Sequence, residues 1–144
     1  MKGFLRFYSW GMEVKLYMSI YTATVVFFQG ITEVLQGRYV ISVWVLLEMF
    51  AVSFIFAVLQ YAVLPADGWT SKKRLAFWAA GANVLYIGGA VVFGWFPGVP
   101  AWGNALLVAM LETTLWAVWF GEQVACWRDT RALNQRLRQF QEHA

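Results

Sequence analysis

The stretch "VISVWVLLEMFAVSFIFAVLQYAVL" at residues 40–64 decides the fold, and it carries one formal charge, Glu48. A helix that crosses a bilayer needs about 20 mostly apolar residues. Three more segments meet that requirement: residues 16–35 ("LYMSIYTATVVFFQGITEVL"), 75–96 and 102–127. The breaks between them make chemical sense. "QGR" at residues 36–38 turns through Gly37, "PADGWTSKKR" at 65–74 is a polar loop, and "PGVP" at 97–100 cannot continue a helix, because proline lacks the N–H and clashes with the preceding turn. The expected fold is an all-α membrane protein. A four-transmembrane-helix bundle over residues 1–127 is followed by a helical tail at 128–144.

Composition agrees. Of 144 residues, 60% are hydrophobic and 13% charged, against about 25% charged in an ordinary soluble domain. A soluble chain this small could not hide so much apolar surface in one core. Nine tryptophans and six tyrosines suit the two membrane interfaces, where amphipathic rings gather. Cys126 is the single cysteine, so no internal disulfide forms. Lys2 and Arg6 precede an apolar run with no small-residue cleavage site, and that N-terminus is read as retained.

The net charge of +3 reports topology here, and no direct nucleic-acid partner is expected. Lys2, Arg6 and Lys15 flank the first span, Lys72, Lys73 and Arg74 lie between spans two and three, and Arg128, Arg131, Arg136 and Arg138 occupy the tail. All three clusters fall on one side of a four-span path, with Arg38 alone opposite. The positive-inside rule puts both termini in the cytoplasm. The chain is thus expected to cross the membrane four times with both ends inside and little of it outside.

Span three is rich in small residues, among them Gly81 and Gly88, a heptad apart. Small residues let helix backbones approach where lipid offers no hydrophobic drive. Packing within the bundle is the simpler reading, and a homo-oligomer face is the alternative. No internal repeat is visible, so an inverted-repeat transporter is not indicated.

Glu48 and Glu112 sit at membrane depth, about 12–15 Å from their span ends at 1.5 Å per residue. Gln29 lies a little shallower and Asn83 mid-span. Each helix would offer one polar side chain to the interior. An ionised carboxylate there costs about 2.5–3.5 kcal/mol on insertion scales, so such a residue is a functional hypothesis. Glu48, Glu112, Gln29 and Asn83 are therefore the expected intramembrane sensing residues. The plainer reading has the glutamates protonated and bonded to Gln29, Thr113 or each other, with a shared proton if they meet. Glu33 and Glu122 lie near span ends, within reach of water. The only histidine, His143, is penultimate. No Cys/His cluster, nucleophile–base pair or phosphate-cradling loop is readable, so no enzyme activity, metal or cofactor is expected.

No proline or glycine follows Gly121, so span four can run on as one helix. Cys126, Thr130, Leu133, Leu137, Phe140 and Ala144 are spaced 4, 3, 4, 3, 4, an a/d seam with the arginines off it. The tail could lie on anionic lipid of the inner leaflet, fold back on the loop, or dock against another protein's helix. Its stripe is narrow and flanked by Asn134, Gln135, Gln139 and Gln141, which favours docking. Leu133, Leu137, Phe140, Arg131, Arg136, Lys72, Lys73 and Arg74 are the expected partner contacts.

Several stretches resemble one family: "SIYTATVVFFQGI" at residues 19–31, "ISVWVLLEMFAVSFIFAVLQYAVL" at 41–64, "VVFGWFPG" at 91–98 and "LNQRLRQFQ" at 133–141. The family is that of small four-span bacterial membrane proteins of unknown function that accompany LytTR-type DNA-binding regulators. Its closing tail is usually lysine-rich, where this chain uses arginine and glutamine. The resemblance implies a membrane protein that restrains a cognate LytTR-type transcription regulator, and it brings no catalytic residues. Two other readings stay open. One is a small proton- or cation-coupled oligomeric transporter, against which Glu13 precedes the first span and the charge bias is strong. The other is an accessory subunit of a membrane complex such as an ABC exporter.

Overall fold

The computed structural model describes residues 1–64 and 71–143. Most of the polar loop expected at 65–74, and the place of Ala144 in the seam, lie outside them. The described chain forms α1 (Lys2–Leu35), α2 (Val43–Val63), α3 (Lys72–Phe93) and α4 (Ala101–His143), with no strand among the described residues. All four helices are long and apolar enough to cross a membrane. Two of them outrun a bilayer. α1 has 34 residues, about 51 Å at 1.5 Å per residue, and α4 has 43, about 64 Å. The helical start of α1 at Lys2 is earlier than the apolar run at residue 16, because no proline falls between them and the isolated Gly3 and Gly11 are tolerated within a helix. α4 runs unbroken through the tail, as the absence of proline and glycine predicts.

The helix ends follow local chemistry. Gly37 takes φ +72°, and the Arg38 N–H reaches back to the Glu33 carbonyl at 2.8 Å, the six-to-one bond of a left-handed helix stop. Gly94 ends α3 the same way, at φ 62°, with the Trp95 N–H on the Ala90 carbonyl at 3.2 Å. Ser71 caps the start of α3, its Oγ accepting the Arg74 N–H at 3.3 Å. α4 begins directly after Pro100, where the ring's fixed φ suits a first turn.

α2 is the centre of the bundle, and α1 and α3 pack on it. Phe56 is fully buried in an aromatic cluster. Its ring centroid lies 4.9 Å from Tyr21 and 5.5 Å from Tyr86, both edge-on, and 6.2 Å from Trp78. Such ring pairs add to simple burial. α4 is different: of its described residues only Gly103 and Leu115 are buried. Outward faces stay apolar, with Phe54, Phe77, Val84 and Val91 exposed.

The helices alternate in direction. Tyr21, Gln60, Trp78 and Glu122 meet at one level, early in the apolar span at 16–35 and in α3 but late in α2 and in the apolar span at 102–127. At the other end, Arg38 reaches the Pro97 carbonyl and Trp95 reaches Glu48. Both chain ends therefore leave the bundle on the same side.

The small residues of α3 divide. A Cβ at Gly81 would lie 3.2 Å from Leu59 of α2, and one at Gly89 would lie 3.0 Å from the folded-back Trp95 ring. Both glycines serve packing inside the chain. Gly88 has no neighbour within 4 Å of that position, so the heptad pair Gly81 and Gly88 does not act as one face. Gly89→Leu should drive Trp95 out of its seat and cost about 1–3 kcal/mol, read as a lower unfolding midpoint in detergent. Gly88→Ala should not lower that midpoint.

Candidate functional site

The strongest polar constellation is centred on Gln60, near the end of α2. Its amide is buried, and it bonds to all three other helices. Gln60 Oε1 accepts the Tyr21 hydroxyl of α1 at 2.5 Å and the Trp78 Nε1–H of α3 at 3.2 Å. Gln60 Nε2 donates to Glu122 Oε1 of α4 at 3.3 Å. Tyr17, one turn before Tyr21, lies beside the same carboxylate. One level further in, the buried Tyr86 hydroxyl donates to Ser53 Oγ at 3.2 Å. A buried amide in apolar surroundings is costly unless its donors and acceptors are used. Here both ends of the Gln60 amide are engaged, and the carbonyl uses both lone pairs.

The four residues expected to form one interior site are distributed over three places. Asn83 of α3 donates to Glu112 Oε1 of α4 at 2.6 Å, and the Trp116 indole donates to Glu112 Oε2 at 3.1 Å. Glu48 instead accepts the Trp95 indole N–H at 3.1 Å, from the turn between α3 and α4. Gln29 turns along its own helix and donates to Glu33 Oε1 at 2.9 Å. Thr113 donates to the Ala109 carbonyl and not to a glutamate. Among the described residues, no hydrogen bond joins Glu48, Glu112 and Gln29 to one another. Each carboxylate takes the nearest indole or amide donor, and no hydrogen bond joins Glu48 to Glu112 among the described residues. The shared-proton arrangement does not form between them.

Glu33 and Glu122 also differ from expectation. Depth alone assigned them to water, yet Glu33 is buried and paired with Arg38 through contacts of 2.6 and 3.0 Å. Arg38 reaches across to the Pro97 carbonyl at 3.3 Å, closing the end of the bundle. Glu122 is half-buried in the Gln60 network. No group of three His, Cys, Asp or Glu side chains comes together among the described residues.

The expected partner contacts lie outside the bundle. Every described residue from Arg128 onward is exposed. Leu133, Leu137 and Phe140 stand 60%, 58% and 77% open, so the seam is uncovered and the tail does not fold back on the bundle. Arg131 lies 4.6 Å over the Trp127 ring, which positions it at the root of the tail. Arg136 is exposed, as are Lys72, Lys73 and Arg74 at the start of α3.

Comparison with family models, curated proteins and solved structures found no match.

Gln60→Leu keeps the volume but leaves Tyr21, Trp78 and Glu122 without their common partner. Interhelical hydrogen bonds in membranes are worth about 0.6 kcal/mol each and at most about 1.7, so the loss should be about 2 kcal/mol in an unfolding titration. Glu122→Leu combined with Gln60→Leu should cost less than the two changes summed, since they share one bond.

Proposed function

We propose that the chain is a membrane-embedded regulatory protein that holds a cytoplasmic LytTR-type transcription regulator through the tail of α4 and releases it on a signal received in the membrane. Both termini are cytoplasmic in this reading, by the placement of the three basic clusters. The observation that carries it is the tail itself. α4 leaves the bundle as one unbroken helix and presents Leu133, Leu137 and Phe140 uncovered. An exposed apolar seam of this length is what a partner helix covers. The tail's four arginines stand against two acids, Asp129 and Glu142, so a partner helix with acidic flanks fits best. LytTR identity comes from the resemblance of the tail and the spans, and no direct contact with nucleic acid is involved.

The bundle supplies the input. Asn83–Glu112 and Gln60–Glu122 join α4 to α3 and α2, while its apolar burial is slight. A change at those bonds moves a helix whose far end is the tail. Membrane lipid is the second partner in this reading.

Leu133→Asp with Leu137→Asp should abolish co-purification of the regulator from native membranes in mild detergent, by more than tenfold, with the chain still present in the membrane. Retention of the regulator by that variant would sink the tail assignment. Recovery of other membrane subunits, equally with both chains, would favour an accessory role in a complex such as an ABC exporter.

A further inference from the structure

α4 does not close onto α1 over its first turns. Between Gly103 and Leu115 no described residue of α4 is buried. Two cavities lie in the gap. One, of about 350 Å³, is bounded by α1, α3 and α4. The other, of about 370 Å³, continues between the end of α1 and the start of α4. They share Phe28 and Leu107, so they form one cleft with a waist. Each is in the range of small-molecule sites, about 300–1,000 Å³.

We infer that this cleft binds the hydrocarbon chain of an uncharged or zwitterionic amphiphile.

Shape is the first reason. On α1 the cleft runs from Val25 to Gln36, about 16 Å at 1.5 Å per residue. A single chain fits a long, narrow space.

Lining is the second reason. The walls are mostly apolar: the Tyr86 hydroxyl on them is already given to Ser53 and the Trp95 indole to Glu48, and Asn104 adds a carboxamide on the α4 side. The rim residues Val91, Leu106 and Val108 are themselves exposed. The cleft thus opens onto the apolar exterior that four span-length helices present to lipid.

Charge is the third reason. Thr32 and Gln36 line the end of the cleft where α1 stops, and Arg38 follows. The Arg38 guanidinium is committed to Glu33 and to the Pro97 carbonyl. No net positive charge is left there to select an anionic head, whereas the Gln36 amide is present to bond a neutral one and the Thr32 hydroxyl, its proton given to the Gln29 carbonyl at 2.9 Å, can still accept. The site itself needs only the membrane placement. Its use as the signal that shifts α4 rests on the regulatory reading above.

The test uses the full-length chain in phosphatidylcholine nanodiscs. Three probes carry the same photoactivatable mid-chain group: a phosphatidylcholine, a monoacylglycerol and a phosphatidylglycerol. Cross-linked positions are mapped by mass spectrometry. Severalfold enrichment at Val25, Phe28, Ala90 and Val108, over the exposed Phe54 and Phe77, is expected with either or both of the first two probes. Labelling by phosphatidylcholine identifies a bilayer lipid as the source, and labelling by monoacylglycerol alone identifies a free lipophile. Ala90→Phe on α3 and, separately, Val108→Phe on α4 should each remove the enrichment while the unfolding midpoint holds. Even labelling of all exposed apolar positions, enrichment that survives both fillings, or preference for phosphatidylglycerol would overturn the inference. None of these readouts involves a protein partner, so they stand or fall apart from the regulator.

Discussion

The Gln60 amide holds the four helices in register. In hydrocarbon there is no water to take over an unmade bond, so a buried amide fixes its neighbours by what it requires of them. Gln60 requires a donor from α1, a donor from α3 and an acceptor from α4, and it finds all three. Apolar packing alone would leave the rotation of each helix loosely specified, since lipid tails are as apolar as the side chains they replace. The aromatic cluster around Phe56 sits beside this network and inherits its alignment. Tyr21 and Trp78 belong to both, so the polar and the apolar halves of the core cannot shift independently.

That arrangement divides the bundle into a firm part and a looser one. α1, α2 and α3 share the buried rings, and α4 adds Leu115 to the same core. Leu111, Val118 and Trp119 of α4 pack partly against it, and polar and edge-to-face contacts complete its attachment: Glu112 to Asn83, Glu122 to Gln60, and Trp116 against Trp78 at 6.2 Å. Bonds of this kind are directional. They specify one seat for α4 and are exchangeable for another when a competing donor or a new volume is supplied. The two cavities occur where these bonds are missing, between α1 and the opening turns of α4.

Spans, breaks and the unbroken tail were legible because each rests on composition over many residues or on a single proline or glycine. The pairing of polar groups was not. It depends on the rotation of each helix, and a run as uniformly apolar as residues 40–64 has no polar face from which to read one. Gln60 lies in that run without a charge to draw notice, whereas Glu48 in the same run does draw notice and makes one bond to a turn. Glu33 and Glu122 show the second limit. Distance from a span end measures access to water only if no side chain intervenes, and Arg38 and Gln60 intervene. Had the tryptophans been treated as donors as well as interface markers, Trp78, Trp95 and Trp116 would have stood out as the natural partners of three carboxamide or carboxylate groups.

The length of α4 gives its seating a consequence at a distance. From Leu115, its last buried residue, to Phe140 the helix runs 25 residues, about 37 Å, with one glycine, Gly121, and no proline. A helix of that kind bends gently and does not hinge without a cause. A small tilt about Leu115 therefore displaces the seam by an amount that grows with distance along the tail. The contacts that set this tilt, at Glu112 and Glu122, lie on either side of Leu115, roughly one and two turns away. Strengthening one at the expense of the other is a balance about a pivot. The bundle's polar bonds and the tail's apolar seam are thus two ends of one rigid element, and what seats α4 in the bundle also aims its exposed face.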